Sequence, residues 1–402
     1  MRRVHLILLA TTVSVLAAMP ANAQVTVFEG ARLIVGNGNV VDNGTIVVDG
    51  ARITQAGAAG SVTAPAGATR VNLAGKTVMP AIIDTHVHLS RTRAALARDL
   101  KERGYWGVSA ALSMGTDDPA LLDMRGPPVA GSARFFSAGK GLSRKEGRPT
   151  AEIDSVEDAR KAVRDNAALK VDIIKIWVDD REGKVQKVTP EMYAAAIDEA
   201  HKLGIRTTAH IFNEADGKGL MKANLDAFAH GVRDKDVDDE TVAMFKARPN
   251  IVLGPNLPDR GQKVDRAWMK ALPAEEFAKL EAENKDDAKK HAFYGIQSRN
   301  LKKMNAAGVK IVLGTDGNKS WGPHEEMFDM VDSGMTPMQV IVAATRSGAE
   351  FVKMTDAGTL EAGKSADFIV LDANPVDNIT NTRKISAVYL RGAAVDRSKY
   401  PN

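Results

Sequence analysis

Two histidines at alternate positions end an apolar segment and are the clearest chemical signal in the sequence. They lie in Asp84-Thr85-His86-Val87-His88. Residues two apart on a β-strand face the same side, so the side chains of His86 and His88 would project together and could bind one metal ion. Because the chain has no cysteine, any metal must be bound by histidine, carboxylate or modified lysine.

Five further residues of suitable chemistry follow or interrupt later apolar segments. They are Lys175, His210, His230, Asp316 and, in the next loop, His324. The carboxyl ends of parallel strands are where α/β barrel enzymes build their active sites. The spacing of the whole set therefore predicts a metal site rather than scattered structural histidines.

Lys175 interrupts the otherwise apolar segment 171–178, which should form a buried parallel strand. An unpaired ammonium is costly to bury and tends to lose its proton. A neutral amine at this position could react with carbon dioxide to give a carbamate, a carboxylate-like group able to bridge two metal ions. The alternative is a lysine whose amine reaches solvent at the end of the strand.

The middle of the chain alternates apolar strands with helix-like stretches. Several of the stretches have start signals, at Ser155, Thr189 and Thr336. The predicted strands are 79–89, 108–114, 133–138, 171–178, 206–211, 227–232, 251–253 and 310–313. Eight such units over about 275 residues predict a (β/α)8 TIM barrel.

Both chain ends consist of short β-branched runs broken by turns such as Asn37-Gly38 and Asp49-Gly50. Each end is too short to form a domain alone, so we expect the two to combine into one small β-sandwich domain beside the barrel. The predicted division is 24–77 and 356–402 for the composite β-domain and 78–355 for the barrel.

Residues 1–23 have the pattern of a secretory signal peptide. Arg2 and Arg3 form a positive region, residues 6–19 an apolar core, and Ala21-Asn22-Ala23 a cleavage site. The apolar core is shorter than the ~20 residues of a membrane-spanning helix. We expect a periplasmic or secreted mature protein that begins near Gln24 and has no membrane association after leader removal.

Composition excludes several classes of protein. The formal charge is +4, from 54 Lys+Arg against 50 Asp+Glu, and it falls to +2 when Arg2 and Arg3 leave with the leader. Such a weak charge does not indicate nucleic acid as a partner. A hydrophobic fraction of 44% is ordinary for a globular protein. The expected partner is a small-molecule substrate, and the oligomeric state stays open, a homo-oligomer included.

Two segments resemble signatures of the amidohydrolase superfamily, in the binuclear branch that includes prolidase-like carboxypeptidases and ochratoxin-degrading amidases. The first runs from Gly75-Lys76-Thr77 to His88, and the second is Gly358-Thr359-Leu360-Glu361-Ala362-Gly363-Lys364-Ser365-Ala366-Asp367. They bracket nearly all of the mature chain. The resemblance implies a metal-dependent barrel enzyme that hydrolyses carbon–nitrogen bonds.

The resemblance also implies that six side chains bind two divalent metal ions. They are His86, His88 and Asp316 for one ion, His210 and His230 for the other, and a carbamate on Lys175 as the bridge between them. Zinc is expected because imidazole suits it, and Mn2+, Co2+ and Fe2+ share these ligands. The chain departs from the family pattern at Ala81, where a glycine is usual, and over 211–214.

Two ions about 3.5–4 Å apart would hold a bridging hydroxide, and one of them would polarise the scissile carbonyl. Asp316 and the modified Lys175 are the predicted catalytic residues. Asp316 would accept the hydroxide proton and pass it to the leaving amine. The candidates for substrate binding lie in loops and are His324, Arg233 and Arg260, of which the arginines could hold a carboxylate.

The favoured function is hydrolysis of dipeptides or N-acyl amino acids, as in a carboxypeptidase or amidase. The alternatives are a cyclic amide, lactone or ester hydrolase, and a mononuclear enzyme like imidazolonepropionase or a deaminase. Deaminases of the superfamily have H-x-x-E after the fifth strand and lack the lysine, whereas this chain has Asn213 and Lys175. An exported metal- or ligand-binding protein without turnover would lose only metal affinity in an Asp316→Asn variant.

Overall fold

The computed structural model describes residues 25–145 and 147–401, so the predicted signal peptide lies outside the described residues. Within them the chain forms eighteen strands, several of only two residues. They are β1 (Thr26–Ile34), β2 (Val40–Asp49), β3 (Arg52–Ala58), β4 (Thr69–Asn72), β5 (Thr77–Pro80), β6 (Ile82–Val87), β7 (Val108–Ser113), β8 (Arg134–Ser137), β9 (Leu142–Ser143), β10 (Ala151–Glu152), β11 (Ile174–Val178), β12 (Thr207–Ile211), β13 (Ala227–Phe228), β14 (Val252–Leu253), β15 (Lys310–Ile311), β16 (Phe368–Leu371), β17 (Ile385–Leu390) and β18 (Ala393–Ala394).

Ten α-helices connect or cover these strands in the described part of the chain. They are α1 (Arg93–Tyr105), α2 (Val156–Ala168), α3 (Pro190–Lys202), α4 (Glu214–Lys222), α5 (Asp239–Lys246), α6 (Ala274–Glu283), α7 (Ala288–Ala306), α8 (Gly322–Asp332), α9 (Pro337–Ala344) and α10 (Arg346–Phe351). The predicted helix starts are confirmed, because the side chains of Ser155, Thr189 and Thr336 each accept a hydrogen bond from a backbone N–H of the first turn.

The middle of the chain has the predicted alternation of parallel strands and helices. β6, β7 and β8 pair in parallel in that order, and β11 to β15 pair in parallel in chain order. Each of the eight predicted strands overlaps one of these eight, although several are shorter than expected. β9 and β10, which extend the second sheet beside β11, were not predicted because two-residue strands carry no periodic signal.

Strands from both chain ends form one eight-stranded sheet. Its order is β18-β17-β16-β5-β1-β2-β3, with β4 beside β1. The C-terminal β16 lies between β5 and β17, so the end of the chain completes a sheet that the beginning starts. The ring of Phe28 in β1 packs edge-on against those of Phe368 in β16 and Tyr389 in β17, at 5.1 and 4.8 Å between centroids.

The chain passes from this sheet to the parallel strands at Pro80 and Ala81. The sequence predicted one continuous strand over 79–89, but β5 ends at Pro80 and β6 begins two residues later. Proline has no N–H to donate to a neighbouring strand, which ends the pairing of β5. The N–H of Ala81 donates to the carbonyl of Asp367 beside β16, and the next N–H donates to Gly107 before β7.

Two large clusters of buried apolar side chains hold these layers together. One joins the parallel strands to helices α2 to α5. The other joins the terminal sheet to the helices that follow β15, and it includes Ile369 and Leu371 of β16 with Met327 of α8 and Val340 of α9. Among the described residues, no helix combines the length and the apolar character that crossing a bilayer requires.

Candidate metal centre

β6 brings His86 and His88 to the carboxyl end of the first parallel strand. Every residue of β6 is buried, and the two imidazole centroids lie 5.3 Å apart. Thr315 and Asp316, which follow β15, donate their backbone N–H groups to the carbonyl of His86 at 3.0 and 2.9 Å. These two bonds hold the loop after the last parallel strand against the end of the first one.

Asp316 lies between the two histidines. Its Oδ1 is 3.2 Å from Nε2 of both His86 and His88, and one ligand atom from each residue falls within 4.8 Å of the others. Its φ of 51° lies in the left-handed region, which is uncommon for residues other than glycine. Nε2 of His86 is buried without a hydrogen-bond partner among the described residues. A buried nitrogen that faces a carboxylate in this way fits a divalent metal ion.

His210 and His230 adjoin this cluster from β12 and from the segment after β13. The His230 ring lies 5.0 Å from that of His86 and 4.6 Å from that of His210. Nε2 of His230 is 3.6 Å from Oδ2 of Asp316. Nε2 of His210 is 3.1 Å from Oδ2 of Asp179, so Nδ1 is the nitrogen left for another ligand. The structure thus brings His230 to the carboxylate of Asp316 and places His210 directly beside His230.

Lys175 lies in β11 and is fully buried. Its Nζ makes no hydrogen bond among the described residues and lies 5.2 Å from the centroid of the Trp177 ring. Burial lowers the pKa of Lys175 to about 7, although the carboxylate of Asp316 acts in the opposite direction. A buried amine without a partner and with reduced basicity fits conversion to a carbamate.

Burial keeps the imidazoles of His86, His210 and His230 neutral by lowering their pKa values. It lowers the pKa of His86 to about 3 and that of His210 to about 4, and the charge of Lys175 acts in the same direction. Burial alone would raise the pKa of Asp316, but His230 and His86 hold it well below its usual range. At neutral pH these three side chains are therefore neutral imidazoles and Asp316 is a carboxylate, which are the forms that bind divalent cations.

Two polar residues that the sequence analysis did not identify contact the predicted ligands. Asn256, three residues after β14, is buried with a φ of 44°, and its Nδ2 lies 2.7 Å from Nδ1 of His86. Asp179 directly follows β11, and its Oδ1 accepts the N–H of Arg181 while Oδ2 faces His210. A carboxylate that accepts the second ring N–H, as Asp179 does from His210, orients a metal-binding imidazole. The only sequence signal for either was its position after a predicted strand.

Arg233 is the one predicted substrate-binding residue that the structure places beside the cluster. Its Nη2 is 2.7 Å from Nδ1 of His230 and 3.9 Å from Oδ2 of Asp316. Its Nε donates to Oε1 of Gln297 at 3.2 Å. The side chain is 13% exposed and lines the large cavity described below, so its guanidinium can meet a ligand that reaches Asp316.

Arg260 and His324 lie farther from the cluster. Nη2 of Arg260 is 2.7 Å from Oδ1 of Asp329 and 3.0 Å from Oδ2 of Asp332, so internal carboxylates already neutralise its charge. His324 is 1% exposed, its Nε2–H donates to the carbonyl of Trp106 at 2.9 Å, and it is not among the described residues that line the cavity. The structure therefore does not bring His324 to a ligand at the metal cluster, because tertiary packing buries its ring.

A cavity of about 1060 Å³ reaches the cluster at Asp316. Asp316, Arg233 and Asn256 line its inner end, while α8 and the segment 257–268 line its sides. A cavity of this size can enclose most of a drug-sized ligand. It gives such a ligand access to Asp316, the predicted metal ligand among the described residues that line it.

Comparison with known proteins shows the family. Residues 77–395 match the amidohydrolase family. An imidazolonepropionase from Shouchella clausii is 25% identical over 384 residues, which cover 83% of this chain and 80% of that protein. An ochratoxinase from Aspergillus niger is 27% identical over 256 residues, which cover 60% of this chain and 49% of that protein.

Solved structures share the fold over nearly the whole chain. A Bifidobacterium longum protein provisionally assigned as a prolidase superposes with a TM-score of 0.78 at 25% identity, covering 94% of this chain and 96% of that one. The Aspergillus niger ochratoxinase structure gives a TM-score of 0.71 at 22% identity, covering 93% and 96%. Because the family match spans most of its length, the chain belongs to the amidohydrolase family and is a hydrolase that acts on carbon–nitrogen bonds.

Proposed function

We propose that the protein is a metal-dependent amidase or peptidase that hydrolyses N-acyl amino acids or dipeptides. The observation that carries the proposal is the convergence of His86 and His88 on Asp316, with the buried and unpartnered amine of Lys175 nearby. The family match supports hydrolysis of a carbon–nitrogen bond. Arg233 beside Asp316 favours a substrate that carries a carboxylate close to the scissile bond.

Six side chains would hold two divalent ions, most simply zinc, with Mn2+, Co2+ or Fe2+ as alternatives. They are His86, His88 and Asp316 for one ion, His210 and His230 for the second, and Lys175 for both. Lys175 would act as a carbamate formed with carbon dioxide. Once bound, the ions would supply Lewis acidity and a water molecule that ionises near neutral pH.

The residues of the chain would bind the substrate and transfer the proton. Asp316 stays ionised at neutral pH and can accept a proton from the attacking water and deliver it to the departing amine nitrogen. Arg233 would hold the substrate carboxylate, which fixes the amide over the cluster. The Asp179 carboxylate would keep His210, and the Ala229 carbonyl 3.2 Å from Nδ1 would keep His86, in the orientations that bind metal.

An imidazolonepropionase- or deaminase-like reaction is the second candidate, since an imidazolonepropionase aligns over 83% of the chain. Two observations weigh against it. Asn213 stands where superfamily deaminases have a glutamate. The neighbouring Glu214 accepts hydrogen bonds from Thr241 and from the Asp238 N–H, so its carboxylate is held at the start of α5. A cyclic amide or lactone hydrolase remains compatible with the same metal ligands.

We also propose that the parallel strands close into one (β/α)8 barrel. The N–H of Thr85 donates to the carbonyl of Leu313 at 3.0 Å, and Val87 forms a parallel bridge with Gly317, which links the first strand to the last. The sheet from the chain ends would form a separate β-sandwich domain over 24–77 and 356–402. Its own buried apolar cluster supports this division.

The mature protein would be exported, and its partner would be a small-molecule substrate. The support for export is the leader pattern of residues 1–23, which lie outside the described part of the chain. Amino-terminal sequencing of protein from a periplasmic fraction tests this proposal. A first residue at Gln24 is the expected result, and an intact Met1 in the same fraction would contradict cleavage.

The experiment that tests the activity is release of free amine from a panel of dipeptides and N-acyl amino acids. The protein would lack residues 1–23 and be reconstituted with divalent metal, and Asp316→Asn would serve as the inactive variant. Asp239→Asn is the matched control, because the side chain of Asp239 is 98% exposed. Turnover that only Asp316→Asn loses supports the proposal. Turnover of lactones or cyclic amides alone would replace it.

A further inference from the structure

The large cavity extends well beyond the metal cluster. Residues of α8 line one side of it, from Gly322 at the near end to Phe328 and Asp329 at the far end. At 1.5 Å of rise per residue, the seven steps from Gly322 to Asp329 span roughly 10 Å. An extended dipeptide spans only about 7 Å. The cavity is therefore longer than a dipeptide bound at Asp316 needs.

Aromatic rings and guanidinium groups alternate at the far end of the cavity. The Arg383 guanidinium lies 4.8 Å from the ring of Trp268 and 5.4 Å from that of Phe328. The Arg260 guanidinium lies 4.3 Å from Phe328 and 5.4 Å from Tyr294. We call these five residues the aromatic–arginine column. All except Tyr294 line the cavity.

The column is held rigidly by groups behind it. Arg260 is fixed by its ion pairs with Asp329 and Asp332, and Nη2 of Arg383 donates to the carbonyl of His324 at 3.3 Å. The indole of Trp268 packs edge-on against that of Trp106, with 5.4 Å between centroids. Because Trp268 is nevertheless only half-buried, it presents aromatic surface to the cavity.

We propose that the aromatic–arginine column is a distal substrate subsite that binds a planar aromatic acyl group. The proposal rests on the proposed amidase function and narrows its substrate class to aromatic N-acyl amino acids. If Arg233 holds the carboxylate next to Asp316, the acyl group must extend away from it along α8. Preordered indole and guanidinium surfaces favour a flat π system over an aliphatic chain.

Binding can be measured without turnover. The probes are N-(naphthalene-2-sulfonyl)-L-alanine and N-methanesulfonyl-L-alanine, which share the carboxylate and lack a hydrolysable amide. Calorimetric titration of the metal-loaded protein should show that Trp268→Ala weakens binding of the naphthyl probe about tenfold and that of the methyl probe less than twofold. Lys270→Ala is the matched control, because Lys270 is an exposed neighbour outside the cavity lining.

Two further variants keep the test informative if Trp268→Ala fails to fold. Trp268→Phe retains a ring and should recover most of the naphthyl affinity, whereas Arg383→Met retains an apolar stem, removes the cation and should lose several-fold. Equal weakening of both probes, or of neither, would show that the column only packs the Ile379–Arg383 segment against the cavity wall and would overturn the proposal.

Turnover separates this inference from the function on which it rests. Hydrolysis of N-(2-naphthoyl)-L-alanine should fall about tenfold in kcat/KM in Trp268→Ala, while hydrolysis of N-acetyl-L-alanine should change less than twofold. Trp268-dependent binding of the naphthyl probe without hydrolysis of any amide would support the subsite and refute the amidase. Hydrolysis of both amides with no dependence on Trp268 would refute the subsite alone.

Discussion

Among single residues, Lys175 gives the sharpest test of the proposed metal centre. Its Nζ is buried and has no hydrogen-bond partner among the described residues. As an ammonium it would contribute little to metal binding, whereas as a carbamate it would be a metal ligand. We expect Lys175→Ala to lower the bound metal from about two ions per chain to one or none, and turnover by at least about a hundredfold, since even groups that only orient ligands cost 10–100-fold. Elemental analysis of the purified protein measures the first effect.

Propionate should partly restore the turnover of Lys175→Ala, because a small carboxylate can occupy the space that the lysine side chain leaves. Lys161→Ala is the matched control, since Lys161 is an exposed lysine paired with Asp165 on α2. Full metal content in Lys175→Ala would contradict the bridge. If the variant kept its full metal content but lost turnover, Lys175 would act in the reaction and not in metal binding.

His324 gives a prediction about pH dependence. Burial lowers its pKa to about 4, with the charges of Arg383 and Arg397 in the same direction, whereas an unfolded histidine titrates near 6.5. Between these values the unfolded chain binds a proton that the folded protein excludes. The free energy of unfolding therefore rises with pH across this window, and the contribution of His324 is lost as pH falls from 6.5 towards 4.

Replacing His324 should accordingly reduce acid sensitivity. Lowering the pH from 7.5 to 5 should reduce the free energy of unfolding of the native sequence. The reduction should be about 2 kcal/mol smaller in His324→Gln. Urea unfolding of the metal-free protein at both pH values measures it. His291→Gln, which changes an exposed histidine, should leave the loss unaltered. An unchanged loss in His324→Gln would show that His324 does not stay neutral when folded.

Sequence could place the first-strand histidines but not their neighbours, for a physical reason. The residue type and the alternate spacing of His86 and His88 each indicate metal binding. Asn256 matters because it contacts His86, 170 positions earlier in the chain. His324 looked like a loop residue of the active site, yet its ring is packed against Trp106. Contacts between residues far apart in sequence carry no local pattern.

Among the elements, the close approach of β6 and the segment after β15 depends on Gly314. A Cβ at this position would collide with Oδ1 of Asn256 and lie 2.8 Å from Cβ of His86. We expect Gly314→Ala to reduce the free energy of unfolding by about 1–3 kcal/mol and to weaken metal retention. Thermal unfolding and metal content after dialysis against a chelator measure these effects.

Gly317→Ala is the matched control for this prediction. Gly317 lies in the same loop, but the nearest atom to its added Cβ is the Thr315 carbonyl oxygen at 3.9 Å. The variant should keep the native stability and metal content. Equal losses in both variants would mean that the loop tolerates no added side chain. Equal tolerance would mean that β6 and the segment after β15 are not tightly apposed at Gly314.

The positions of the parallel strands along the chain were predictable because apolar periodicity is a local feature. The residues at which strands end were not predictable in this way. The eight expected parallel strands are present, but the strand predicted over 79–89 is divided at Pro80 between two sheets. Periodicity cannot show which sheet a strand joins. β5 pairs with β16, nearly 300 positions later, and only this pairing reveals that the strand ends at Pro80.

For the whole molecule, the C-terminal strands should contribute to the free energy of unfolding, because they complete the sheet built from both chain ends. Phe368 in β16 is fully buried and lies 5.1 Å from the ring of Phe28 and 4.8 Å from that of Tyr389. The second apolar cluster continues from this sheet into the helices after β15, one of which lines the cavity. The terminal sheet and the region that bears the predicted metal ligands should therefore unfold together.

Phe368→Ala tests this coupling. The cavity left by the ring should reduce the free energy of unfolding by about 3–5 kcal/mol, and the urea midpoints of far-ultraviolet circular dichroism and of metal release should shift together. Val40→Ala, at a 41% exposed position of the same sheet, should shift neither midpoint appreciably. If circular dichroism instead shows an early partial transition while metal release keeps its native midpoint, the sheet unfolds independently. In that case the C-terminal strands stabilise only the terminal sheet, and the predicted metal ligands are held by the parallel strands alone.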